Sequence, residues 1–204
     1  MRINKKRFVY LISPNKIKKS FYYDLNNILK LKKVSFFQLR LKNLSFKKKF
    51  LIGRKIKEIC RKHKVTFLIN DDVLLASKLN SDGCHLGQND MKINKARKIL
   101  KNKIIGVTCH NSVKLARLAI KNKADYLAFG AFNISNTKKT KYKANYSLLK
   151  KIKKITKTPI VAIGGINSYN YKKLLLNKAD FLAISGYIWS NKKLKPIEAI
   201  KKIK

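Results

Sequence analysis

The chain has 204 residues, 45% of them hydrophobic, which suits one sizeable core and is too short for two comfortable domains. Fifty Lys and Arg against nine Asp and Glu give a formal charge of +41, yet the cations are nearly all Lys scattered over the helical stretches; the pattern reads as a solvated surface, and no specific nucleic-acid partner is expected. Three cysteines with no CxxC pair argue against a disulfide framework or zinc site, and the short apolar run after the basic N-terminus falls short of a signal peptide or a spanning helix, so a cytoplasmic chain with no membrane partner is expected.

Short β-branched or aromatic runs then alternate with Lys-bordered amphipathic runs, the pattern of parallel strands linked by crossover helices. The first strand is expected over 8–12. It ends at Ser13-Pro14-Asn15, which is not the Gly-rich phosphate turn that an open doubly wound sheet would place there. The second, 34–39, precedes a helix over 45–63 with Phe50, Ile52, Ile56 and Ile59 at helical spacing. The third covers 65–69 and the fourth 82–86. The fifth, 104–107, leads to a helix over 114–120 with Leu115, Leu118 and Ala119 on one face. After the sixth, 125–129, comes the longest connection, 130–145, rich in Ser, Thr, Asn and Lys and suited to a lid or binding loop. The seventh covers 159–163, the eighth 180–184, and a helix over 194–203 can close the structure. Three strands open alike, at Ser81-Asp82-Gly83, Ala124-Asp125-Tyr126 and Ala179-Asp180-Phe181. The expectation is a (βα)8 TIM barrel, α/β in class, formed as one domain over 1–204 near the lower size limit of about 200 residues.

In such a barrel the chemistry lies at the carboxyl ends of the strands. After strand two, Gln38, Arg40 and Lys42 alternate with Leu39 and Leu41, so the polar three share one face. Surface charge would explain the two cations, but on a strand buried from both sides they need an anion, and phosphate suits both. Asn70, Asp71 and Asp72 follow strand three; His85, Gln88 and Asp90 close strand four. Asp71 and Asp90, on neighbouring strands, can hold Mg2+ with phosphate oxygens and water. The alternative for Asp71 or Asp72 is a helix N-cap before Val73, and the expectation is that one caps while Asp71 binds metal. Thr108 and His110 follow strand five. Gly164-Gly165 can offer backbone N–H groups to a second phosphate, especially if they lead into a helix N-terminus at Ser168, and Ser185 can join them. Lys138 can reach a phosphate from the long connection. His85 and His110 serve equally well as participants or as hydrogen-bonded packing residues, and His63 reads as structural.

Taken in order, QLRLK, INDD, HLGQND, GVTCH, SNTK, AIGGI and AIS resemble the motif series of the thiamine-phosphate synthase and thiazole tautomerase family, from Val34 to about Ile188. The resemblance implies that Gln38, Leu39, Arg40, Leu41, Lys42, Asn70, Thr108 and Lys138 hold a pyrimidine pyrophosphate, with Arg40, Lys42 and Lys138 catalytic. It implies Mg2+ on Asp71 and Asp90. It implies a thiazole phosphate on Ser135, Asn136, Thr137, Gly165, Ile184 and Ser185. Thr108 and Ser135 exchange the family's common Ser and Thr, Ala131 stands where Pro is frequent, and Asn145 where Gly is frequent.

The synthase branch joins the two phosphorylated halves with loss of pyrophosphate. The tautomerase branch acts on the thiazole phosphate alone and is expected to lack the full metal and pyrophosphate set, whereas Arg40, Lys42, Asp71, Asp90 and Lys138 are all present here. A basic nucleic-acid-binding protein is the non-enzymatic alternative, suggested by charge alone. Assembly into a homo-oligomer is compatible with each reading.

Overall fold

The structure, a computed structural model, describes residues 7–134 and 141–204. Eight parallel strands close into a barrel in sequence order. They are β1 (Val9–Ile12), β2 (Val34–Leu39), β3 (Thr66–Asn70), β4 (Gly83–Leu86), β5 (Ile104–His110), β6 (Tyr126–Gly130), β7 (Ile160–Ile163) and β8 (Phe181–Ile184). Pairing of Leu11 with Ile184 completes the ring. The outer helices are α1 (Ser20–Lys30), α2 (Phe46–Lys62), α3 (Val73–Lys78), α4 (Ile93–Leu100), α5 (Val113–Lys121), α6 (Tyr146–Ile155) and α7 (Tyr171–Leu176), with α8 (Gly186–Trp189) and α9 (Pro196–Lys201) after the last strand.

Strand alternation divides the apolar residues into two layers. One parity (Leu11, Phe37, Leu39, Phe67, Ile69, Leu127, Ile160) packs outward against the helices. The other fills the barrel, where Tyr10, Phe36, Tyr126 and Phe181 form an aromatic plug with Leu68, Ala128 and Val161. Phe36 meets Tyr10 in a stack at 5.3 Å and Phe181 edge-on at 5.0 Å. Such a plug closes one end and leaves the opposite mouth for a ligand.

The repeated Asp before strands four, six and eight has one physical explanation. The Oδ2 of Asp82, Asp125 and Asp180 accepts the backbone N–H of Phe67, Ile105 and Ile160 at 2.7, 2.8 and 2.7 Å. Each Asp N–H donates back to the carbonyl of that same residue, at 2.9, 2.8 and 2.9 Å. The three carboxylates therefore clamp β3 to β4, β5 to β6 and β7 to β8 at the end opposite the mouth. Because the aspartates form these clamps, the strands start one residue later than the sequence pattern suggests.

Ser45, Asp72, Ser112 and Asn145 cap α2, α3, α5 and α6, each side chain accepting the N–H three residues on. Two expectations need correction. Leu118 of α5 is exposed (56%), and Ala116 with Ala119 makes the buried contact instead. β5 runs on to His110, because Thr108 and His110 continue the pairing to Ala128 and Phe129 across a register shift.

Candidate active site

A cavity of about 1500 Å³ opens at the carboxyl ends of the strands. Gln38, Arg40 and Lys42 line it from β2 onward, Asn70 and Asp71 from the end of β3, and His85 and Asp90 from β4 and its loop. Thr108, Gly165, Ile184 and Ser185 complete the predicted set that reaches it. Leu39 and Leu41 do not: at 2% and 8% exposure they pack in the layer between barrel and helices, as strand alternation demands of the residues between the polar three. Ser135, Asn136, Thr137 and Lys138 lie outside the described residues. A separate groove of about 830 Å³ runs between α1 and α2, beside Tyr22 and Arg61, and contains no strand end.

The β2 end is held from two sides. Gln38 is 2% exposed and its Nε2 donates to Asn70 Oδ1 at 3.2 Å, which joins the ends of β2 and β3. Arg40 Nη1 donates to Asn15 Oδ1 at 2.9 Å, while its backbone N–H donates to Ser13 Oγ at 2.9 Å. Sequence reading gave the first strand end no role beyond excluding a phosphate turn. Ser13 and Asn15 carry no motif, and only their place after a barrel strand could have marked them.

Six of the nine acids make bonds that account for them without a metal, and a seventh, Asp24, lines the rim of the cavity. Asp82, Asp125 and Asp180 are the clamps, and Arg97 and Lys153 also pair with the last two at 2.7 and 2.5 Å. Asp72 caps α3, accepting Leu75 N–H at 2.9 Å. Glu198 accepts Lys195 N–H at 2.9 Å at the start of α9, Glu58 pairs with Arg61 on the surface of α2, and Asp24 sits on α1 at the cavity rim. Asp71 and Asp90 remain, and they face each other. Burial first, then the hydrogen bond and charge of Asp90, push the Asp71 carboxyl up to about 6, against the pull of Lys42 and Arg40. Asp90 Oδ2 is fixed by Gly87 N–H at 2.7 Å, and Asp71 N–H by His85 O at 2.8 Å.

Two crowded carboxylates form an oxygen-only donor set, which matches Mg2+, since that ion takes one or two carboxylates and fills the rest of its octahedron with water and phosphate. No group of three metal-binding His, Cys, Asp or Glu occurs among the described residues.

His85 bridges cavity and core, with Nε2 at 2.8 Å from Thr108 Oγ1 and Nδ1 at 2.9 Å from the Tyr126 hydroxyl. His110 stacks on Tyr142 at 4.0 Å, joining β5 to the chain that returns toward α6. His63 bonds Asn26 Oδ1 at 2.8 Å, away from the cavity.

Gly164 and Gly165 have φ of +108° and +57°, and a Cβ on either would stand 2.4 Å from Ala131 Cβ or 2.2 Å from Ile134 O. Both are needed for the 131–134 segment to lie across them. They do not lead into a helix at Ser168: Asn167 and Asn170 first form a side-chain-bonded turn, and α7 begins at Tyr171. Ser185 stands before the four-residue α8, its Oγ donating to Ser13 O at 3.3 Å.

A family model described as thiamine monophosphate synthase matches residues 9–188. The chain is 70% identical over 204 residues to the thiamine-phosphate synthase of Pelagibacter ubique, covering all of this chain and 98% of that one. It is 38% identical over 196 residues to the thiamine-phosphate synthase of Erythrobacter litoralis, covering 94% and 92% of the two. Among solved structures, a thiamine phosphate pyrophosphorylase from Pyrococcus furiosus superposes with a TM-score of 0.86 at 28% identity, over 98% of this chain and 94% of that one. With Gln38, Arg40, Lys42, Asn70, Asp71, Asp90, Thr108, Gly165 and Ser185 gathered around one barrel mouth, the chain belongs to the thiamine monophosphate synthase family.

Proposed function

We propose that this cavity carries out the synthase reaction, joining a pyrimidine methyl pyrophosphate to a thiazole ethyl phosphate, with Arg40, Lys42 and Lys138 as its catalytic cations. The carbon–oxygen bond of the pyrimidine methylene breaks, and the pyrophosphate leaves with the electron pair. The thiazole nitrogen lone pair then forms the carbon–nitrogen bond, giving thiamine phosphate; no proton need move and no protein nucleophile is required. The chain is thus a transferase of thiamine biosynthesis.

One observation carries the reading: Gln38, Arg40 and Lys42 share a single cavity with the carboxylate pair of Asp71 and Asp90. Cations alone would suit any phosphate ester, and the acid pair alone would repel one. Together they suit a pyrophosphate that arrives with Mg2+, held by Asp71 and Asp90, and that metal when bound would supply further positive charge to the leaving oxygens. Each unit charge about 4 Å from the developing charge contributes on the order of 4 kcal/mol at an effective dielectric near 20. Asn15 fixes where the Arg40 charge stands, and such preorganisation is what makes it effective in the transition state. Gln38, Asn70 and Thr108 bind the pyrimidine half, with Leu39 and Leu41 setting the alternation of the β2 end. Ser135, Asn136, Thr137, Gly165, Ile184 and Ser185 hold the thiazole phosphate. The three cysteines are free and buried, which supports a reducing, cytoplasmic setting. No helix of the described residues is long and apolar enough to cross a membrane.

Formation of thiamine phosphate and pyrophosphate from the two halves, with Mg2+ and then with EDTA, tests the proposal. Product that needs both halves and the metal supports it. Turnover of the thiazole phosphate alone would replace it with a tautomerase.

A further inference from the structure

Beneath the cavity a chain of hydrogen bonds enters the barrel core. The Tyr10 hydroxyl lies 2.7 Å from that of Tyr126, Tyr126 2.9 Å from His85 Nδ1, and His85 Nε2 2.8 Å from Thr108 Oγ1. Tyr10 and Tyr126 are 2% and 1% exposed, inside the aromatic plug, and burial pushes both phenols well above their ordinary value, so each keeps its hydrogen. The direction of the chain follows from counting donors. Among the described residues the Tyr10 hydroxyl has one hydrogen-bond partner, Tyr126. If His85 carried a hydrogen on Nδ1, it would donate to Tyr126, Tyr126 would donate to Tyr10, and the Tyr10 hydrogen would be buried with no acceptor. A stranded buried donor costs about 1–3 kcal/mol. In the opposite direction Tyr10 donates to Tyr126 and Tyr126 to Nδ1, so every hydrogen in the core is placed. A doubly protonated imidazole fails the same count.

We propose that Tyr126, oriented by Tyr10, is a positioning residue: it holds His85 as the Nε2–H tautomer, which donates to Thr108 Oγ1 and leaves the Thr108 hydroxyl hydrogen directed into the cavity as a donor. A threonine hydroxyl can donate or accept with equal ease. Under the relay one of its two lone pairs is engaged by His85 and its hydrogen is not spent on the imidazole, so the hydroxyl can donate to an acceptor such as a phosphate oxygen or a ring nitrogen. The role of Thr108 rests on the pyrimidine-binding reading above, whereas the tautomer does not.

The test has two arms. Nitrogen-15 NMR of the ligand-free protein, with His63 and His110 removed in turn for assignment, reads the His85 tautomer directly. The relay requires Nε2–H in the wild type and a mixture in Tyr126→Phe; Nδ1–H in the wild type overturns it. Kinetics supply the second arm. Tyr126→Phe should lower kcat/KM for the pyrimidine pyrophosphate by about tenfold, the weight of one hydrogen bond, yet by less than about twofold in a Thr108→Val background, because the two act as one unit. A merely structural Tyr126 would impose the same loss in both backgrounds, and that result overturns the positioning role. An Nε2–H tautomer combined with kinetics indifferent to Thr108→Val also overturns it, removes Thr108 from the pyrimidine site, and leaves the hydrogen-bond direction standing.

Discussion

Asp90 faces Asp71 across the ends of neighbouring strands, and burial together with this second carboxylate raises Asp71 from an ordinary 3.8 to about 6. A divalent cation must displace that proton, so Mg2+ affinity should be flat above pH 7 and fall by about tenfold per unit below 6. Calorimetric titration of Mg2+ with inorganic pyrophosphate at pH 7.5, 6.5 and 5.5 checks this. An affinity unchanged at pH 5.5 would remove Asp71 from the metal site.

The same shift has a stability consequence of defined sign. Because the folded-state value lies above the unfolded one, folding favours the protonated carboxyl, and its contribution is present below about 4 and lost as pH rises through about 6. Without metal, Asp71→Asn should therefore melt higher than wild type at pH 7.5, with the difference closing toward pH 4. Added Mg2+ should raise the Tm of the wild type and leave that of the variant unmoved.

Arg40 and Asn15 should separate in kinetics. Arg40→Ala removes a cation at the leaving group, and loss of a comparable preorganised donor lowers kcat by about 10²–10³. Asn15→Ala leaves the charge but frees the guanidinium that now donates at 2.9 Å. It should weaken kcat by about tenfold or less, the value of one hydrogen bond. Equal losses in the two variants would mean that Arg40 acts through Asn15 instead of through its charge.

Much of this arrangement was legible in the sequence because barrel strands announce themselves and their carboxyl ends carry the chemistry. The alternation of Gln38, Arg40 and Lys42 with two leucines placed three polar side chains in the mouth without a structure, and it also predicts that Leu39 and Leu41 turn away. With only nine acids in the chain, those at strand ends, Asp71, Asp72 and Asp90, stood out. What stayed hidden depends on distance along the chain. Nothing near Asn15 says that it meets an arginine 25 residues on, and nothing near Tyr10 says that it meets Tyr126 at a separation of 116. The repeated Asp before three strands was visible as a repeat, but its meaning, a bond to the preceding strand, required the barrel to be closed. The extension of β5 through Thr108 to His110 was missed because polar residues at a strand end look like a loop.

The clamps give a stability test separate from the site. Asp180 Oδ2 accepts Ile160 N–H at 2.7 Å and Lys153 Nζ at 2.5 Å. Asp180→Ala strands a strand-initial N–H and an ammonium whose side chain is only 25% exposed, and should cost about 1–3 kcal/mol in denaturant unfolding. Because this end lies opposite the cavity, the folded variant should keep its KM for both halves. A changed KM would show that the two ends of the barrel are coupled.

Gly106 of β5 lies in the sheet between His85 of β4 and Tyr126 of β6, its partners in register. A Cβ on it would stand 1.8 Å from Tyr126 Cζ and 2.2 and 2.3 Å from the two ring ε carbons, distances no side chain tolerates. The ring cannot simply retreat, since Tyr10 contacts it edge-on at 5.7 Å and His85 stacks on it at 5.7 Å. Gly106→Ala should therefore displace Tyr126 and cost about 1–3 kcal/mol or more through overpacking. Tyr126→Leu alone should also destabilise, by loss of ring contacts and of the hydroxyl. Combined, the two should cost less than their sum, because the smaller side chain relieves the clash that the methyl group creates. Additive losses in denaturant unfolding would mean that the backbone of β5, and not the ring, absorbs the new methyl group.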